Sequence, residues 1–170
     1  MKVQLLDLAA QYRKIRKEVL AEVKKVCDSQ HYVLGANVSG LEHEISSYSG
    51  AKYGVGVSSG TDAILLSLMA EGVGPGDKVV TTSFTFFATV GCIARLGAIP
   101  VFADIHPDTY NIDPDKLDHL LGKNARGVKA VIPVHLYGQS ADMTPIMRTA
   151  RKHGIAVIED AAQSIGAEYR

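Results

Sequence analysis

The chain has 170 residues, with 46% hydrophobic and 21% charged, so it suits one globular domain with a real core. Lys+Arg and Asp+Glu both number 18, and this zero net charge excludes a global basic field for nucleic acid or an anionic membrane. No apolar run approaches membrane-spanning length, and MKVQLLDLAAQ lacks the sustained apolar stretch of a secretory leader.

Between Leu8 and Ser29, apolar residues fall at Tyr12, Ile15, Val19, Val23 and Val26. Steps of three and four predict a helix, with the basic run from Arg13 on its wet face. HYVLGANVSG breaks the pattern. Ser39 is then placed to cap a short helix carrying Leu41, Ile45 and Tyr48. GVGVS predicts a strand, followed through SSGTD by a helix to Leu68. GPGD is a turn. KVVTT predicts a strand, ATVGCIARL a helix and AIPVF a strand. Asp113 and Pro114 open a helix to Leu121 by cap and first-turn proline. GVKAVIPV predicts a strand. Asp142 caps a helix to His153, which Gly154 stops. GIAVIED predicts the fifth strand, and IGAEY is placed to begin another.

Strands written as continuous apolar runs and alternating with helices predict an α/β fold. Its sheet is mainly parallel, with helices on both faces. Cys27 and Cys92 have neither CxxC nor metal spacing; they read as reduced structural thiols, which fits a cytoplasmic protein.

Ligands in such sheets bind beyond the carboxyl ends of the strands. Gly60 and Thr61 stand there at a helix start, where free N–H groups and the dipole favour a phosphate. A plain Ser/Thr cap accounts for the same residues. The stretch is neither GxGxxG nor a Walker loop, which disfavours a dinucleotide or ATP. Phe84, Phe86 and Phe87 follow the KVVTT strand, either as a hydrophobic plug or as a ring stacked on a flat ligand. Asp160 ends the last strand, either as a cap or as a carboxylate facing a cationic ligand atom. Gln163 is within reach of the same ligand, and Glu159 points to the opposite side. His135, Tyr137 and Gln139 read as structural residues. No Ser-His-Asp set, metal cluster or paired carboxylates stand out.

Taken in order, SSGTDA, TSFTFFAT, VFADI, PVHLYGQ and VIEDAAQS resemble the DegT/DnrJ/EryC1/StrS sugar aminotransferases. LLDLAAQYRKIRKEV and HYVLGANVSGLE are similar to that family's opening, so the resemblance covers essentially the whole chain. It implies the type I aminotransferase fold and the cofactor pyridoxal 5'-phosphate (PLP). By that resemblance Gly60 and Thr61 hold the phosphate, Phe86 stacks on the pyridine ring, Asp160 pairs with the protonated ring nitrogen, and Gln163 lies near the ring hydroxyl. It implies a nucleotide-linked keto-sugar as acceptor, glutamate as amino donor, and a homodimer with HYVLGANVSG near the interface.

The family's Schiff-base lysine follows the aspartate, whereas the last lysine here is Lys152. The expectation is therefore that residues 1–170 comprise N-terminal helices plus an incomplete PLP-binding large domain. The rest of that domain and a small C-terminal domain would be absent, and the chain alone would not transaminate. A sugar dehydratase with histidine in place of the lysine, a truncated non-catalytic PLP-binding or regulatory module, and a domain for another phosphate ligand remain as alternatives.

Overall fold

The first expected helix forms as α1 (Leu8–Ser29) in the computed structural model, which describes residues 6–169. The leader reading at residues 1–5, and Arg170, lie outside the described residues. Asp7 caps α1 by accepting the Ala10 N–H at 2.9 Å. The described residues divide into two compact units at Gly56/Val57.

The first unit holds α1 and α2 (Ala36–Ser49). Ser39 is not the cap of α2: the helix starts three residues earlier, after Gly35 in extended backbone. Glycine at this cap position is a weaker sequence signal than serine, and a Cβ there would lie 2.9 Å from the His31 carbonyl oxygen. GVGVS is also not a strand among the described residues. Its glycines serve close approach instead. A Cβ at Gly54 would lie 2.5 Å from the Glu42 carbonyl oxygen, and the Gly56 N–H donates to Glu42 Oε1 at 2.7 Å. Val55, 81% exposed, gains no burial that would favour pairing.

The second unit carries a four-stranded, wholly parallel sheet in place of the five strands read from sequence. Its elements are α3 (Gly60–Ala70), β1 (Lys78–Thr81), α4 (Phe87–Arg95), β2 (Ile99–Phe102), α5 (Pro114–Asn124), β3 (Val128–Val131), α6 (Met143–His153) and β4 (Ala156–Val157). The strand order is β2-β1-β3-β4. The chain winds one way from β1 to β2, then crosses back over β1 to β3. The crevice between β1 and β3 is the topological switch point.

Side chains alternate across the sheet and find a helix layer on either face. Val79, Ala130 and Ile132 pack with Ile64 and Leu68 of α3 and Cys92 and Ile93 of α4. Val80 and Val131 pack with Leu117 and Leu121 of α5 and Ile146 and Ala150 of α6. Each such leucine or isoleucine taken from water contributes about 1.5–3 kcal/mol.

Pro114 opens α5, and Asp113 accepts the Asp115 N–H at 2.9 Å, as the sequence predicts. Asp142 stands at the cap position of α6 but makes no capping bond to the helix backbone. The Tyr169 hydroxyl takes that place: it accepts the Thr144 N–H at 3.1 Å and donates to Asp142 Oδ1. IGAEY therefore folds onto the start of α6 and is not a strand. Gly154 ends α6 at φ 64°, where a left-handed residue is needed. No helix among the described residues is long and apolar enough to cross a membrane.

Candidate active site

The carboxyl ends of the strands open into a cavity of about 210 Å³. Gly60, Thr61, Phe86, Asp160 and Gln163 all line it, together with apolar groups that include Ile64, Val134 and Leu136. The topology explains how residues a hundred positions apart meet there. Gly60 and Thr61 begin α3, Phe86 precedes α4, and Asp160 extends the line of β4.

At the start of α3, Ser59 caps the helix by accepting the Asp62 N–H at 3.1 Å. The Ala63 N–H donates to the Ser59 carbonyl at 3.0 Å. Gly60 and Thr61 precede these and have no intrahelical acceptor, so their N–H groups remain available donors at the positive end of the dipole. A Cβ on Gly60 would meet no protein atom within 4 Å, although the residue lines the cavity. Glycine here leaves ligand space free; its φ lies outside the left-handed region.

Asp160 is 9% exposed and fixed from several sides. Its backbone pairs with the strand-end segment of β3: the Asp160 N–H donates to Pro133 O at 2.9 Å and the His135 N–H to Asp160 O at 3.0 Å. The Thr89 hydroxyl donates to Asp160 Oδ2 at 2.9 Å, and the Ala162 N–H donates to Oδ1 at 3.3 Å. The Thr89 oxygen lies 3.1 Å from the Thr85 hydroxyl. Since Thr89 spends its proton on Asp160, Thr85 donates to Thr89. This two-hydroxyl chain was not read from sequence. The faint signal was the four-residue spacing of Thr85 and Thr89 about the start of α4, which brings them to one side.

The three phenylalanines are not a plug: Phe84 is 44% exposed, Phe86 72% and Phe87 79%. Apolar density in the sequence carries no direction, and at a helix entry each ring departs differently. Phe86 lines the cavity and also an adjoining groove, which Phe87 lines with Gly91 and Arg95, and Phe84 lies tilted against Tyr110 with centroids 5.7 Å apart.

His135 is a satisfied structural residue, as read. Its Nδ1 accepts the Ala141 N–H at 3.0 Å, so the proton sits on Nε2, which donates to Glu159 Oε2 at 2.7 Å. Glu159 thus turns away from the side of Asp160. Cys92 is buried, and its thiol donates to the Thr61 carbonyl at 3.1 Å. Burial pushes this thiol above its ordinary range, against an opposing pull from the Arg95 cation. Cys27 is exposed rather than structural. No group of three or more metal-ligating side chains occurs among the described residues.

A parallel sheet with its switch point at β1/β3, and a cavity lined by an anchored carboxylate and a helix start, is the ligand-binding core of a doubly wound α/β domain. The chain belongs to the DegT/DnrJ/EryC1/StrS aminotransferase family, whose model matches residues 13–170. It is 52% identical over 169 residues to the pleiotropic regulatory protein of Geobacillus stearothermophilus, covering 99% of this chain and 45% of that one. It is 45% identical over 168 residues to the UDP-2-acetamido-2-deoxy-3-oxo-D-glucuronate aminotransferase of Pseudomonas aeruginosa, covering 99% and 46%. Among solved structures, S. venezuelae DesV in complex with a ketimine intermediate superposes with a TM-score of 0.92 at 39% identity, covering 97% of this chain and 44% of that one. Bacillus subtilis NtdA with bound cofactor PMP gives 0.91 at 34% identity, covering 97% and 38%. The chain thus spans less than half the length of these relatives.

Proposed function

We propose that this chain carries the cofactor site of a PLP-dependent aminotransferase that acts on a nucleotide-linked keto-sugar with glutamate as amino donor. The observation that carries the reading is the convergence of Gly60, Thr61, Phe86, Asp160 and Gln163 on one cavity. Its volume of about 210 Å³ lies below that of clefts for drug-sized ligands, which suits one ring and one phosphate. The space kept clear above Gly60 and the two free N–H groups fit the phosphate.

In this reading the Gly60 and Thr61 N–H groups, with the Thr61 hydroxyl, donate to the phosphate. Phe86 covers a face of the ring. Asp160, held by Thr89 and Ala162, keeps a proton on the pyridine nitrogen. Gln163 bonds the ring oxygen. When bound, PLP supplies the sink for electrons released at the substrate carbon. Ile64, Val134 and Leu136 keep the inner wall apolar and limit water.

A cytoplasmic homodimer belongs to the same reading. The relative named as an aminotransferase of a UDP-linked 3-oxo sugar supports the substrate class. The name of the 52% identical relative favours one second reading, a regulatory protein.

The test is an aminotransferase assay with glutamate and UDP-, dTDP- and GDP-linked keto-sugars. The chain fused to the remainder of the Geobacillus relative should consume glutamate only when a keto-sugar is present. A fusion that binds cofactor but turns over none of the sugars rejects the substrate assignment and leaves the regulatory reading.

A further inference from the structure

Asn111 is 2% exposed and does not line the cavity. Its carboxamide is committed to a short turn, Leu136–Gly138, that follows β3. Asn111 Oδ1 accepts the Leu136 N–H at 3.0 Å, and Nδ2 donates to the Gln139 carbonyl at 2.9 Å. Both partners are backbone groups with a fixed role, so the orientation of the amide is forced. Asn111 thereby ties the two ends of the turn together.

Between those ends the backbone is left-handed, at φ 55° for Tyr137 and φ 88° for Gly138. A non-glycine residue holds such a conformation only when its surroundings impose it. The consequence is the direction of one donor: the Tyr137 N–H points to Gln163 Oε1 at 2.9 Å. Gln163 lines the cavity. With its oxygen turned to a backbone N–H, the carboxamide leaves Nε2, which only donates, as its free end.

We propose that Asn111 is a positioning residue that sets the direction of the Gln163 carboxamide, so that the cofactor site presents a donor to an acceptor oxygen on the ligand ring. This rests on the PLP reading and adds to it a residue that touches no ligand. A ring oxygen carrying negative charge is the partner such a donor selects.

The experiment uses the full chain and two non-covalent probes, pyridoxamine phosphate (PMP) and its 3-deoxy analogue, which lacks the ring oxygen. Affinities are measured by calorimetry for wild type, Asn111→Ala, Gln163→Ala and the double variant, with melting temperatures recorded alongside. Wild type should prefer PMP over the analogue by about tenfold, the size of one hydrogen bond to a charged group. Gln163→Ala should abolish the preference. Asn111→Ala should also abolish it, and should change nothing further in the Gln163→Ala background. If Asn111→Ala does not fold, Asn111→Asp serves: it keeps the Leu136 acceptor, loses the Gln139 donor, and should reduce the preference. A wild-type preference retained in the Asn111 variant overturns the inference alone. So does an equal loss of affinity for both probes in both backgrounds, which marks a merely structural clamp. Absence of saturable PMP binding to wild type overturns the cofactor reading along with it.

Discussion

Replacing Thr89 by valine keeps the shape of a fully buried side chain and deletes one hydroxyl. That hydroxyl is the donor to Asp160 Oδ2 at 2.9 Å and the acceptor for Thr85 at 3.1 Å. The variant leaves the buried carboxylate one donor short and strands the Thr85 proton. A hydrogen bond to a charged group contributes about 1.5–3 kcal/mol, so we expect a loss of about 2 kcal/mol. For a chain of this size that lowers the melting temperature by about 4–8 °C. Thr89→Ser restores the hydroxyl and should recover most of the loss, with a small deficit for the missing methyl. Urea denaturation followed by circular dichroism reads the difference, and the m-value should be unchanged. If Thr89→Val melts within about 1 °C of wild type, the hydroxyl does not anchor Asp160 and the account of the carboxylate is wrong.

Gly60→Ala should separate stability from binding. The backbone there is open to L-residues and the Cβ meets no protein atom, so stability should hold or rise by about 0.5 kcal/mol. The methyl enters the cavity, so PMP affinity should fall; equal affinity would show that the phosphate does not sit against Gly60. Cys27 should react rapidly with a thiol reagent, whereas buried Cys92 should react only on unfolding; fast labelling of both in the native chain would contradict the packing of α4. The Cys92 thiol is raised in the fold, so above about pH 8.5 the unfolded chain releases a proton that the folded chain keeps. That contribution to stability is present below the ordinary thiol range and is lost as pH rises towards the folded value. The alkaline decline in urea midpoint should therefore be shallower in Cys92→Ala, and an unchanged slope would count against burial of the thiol.

Much of the fold was legible because it rests on local signals. The period of Tyr12, Ile15, Val19 and Val23 marks α1, and the apolar runs of KVVTT, AIPVF and GVKAVIPV mark the three longer strands. GVGVS misled because valine and glycine alternate there for a different reason: Gly54 lets α2 approach, a contact that periodicity does not register. Asp142 misled because its capping role passes to Tyr169, distant in sequence. Gly60, Thr61, Phe86, Asp160 and Gln163, five of the residues that line the cavity, were found through strand-end logic together with family resemblance. Thr89 and Asn111 were not, because their bonds span 71 and 28 residues and neither side chain type is distinctive by itself. The sequence reveals which groups stand at strand ends, but which group holds which depends on the sheet order.

The most direct test of the central claim, that this chain carries a PLP site built on Asp160, is a PMP titration of wild type and Asp160→Ala. PMP cannot condense with surface lysines, so its binding reports the cavity alone. The account predicts saturable binding of one PMP per chain to wild type and loss of that binding in Asp160→Ala, with the variant still folded. Unchanged PMP binding to a folded Asp160→Ala chain would contradict it.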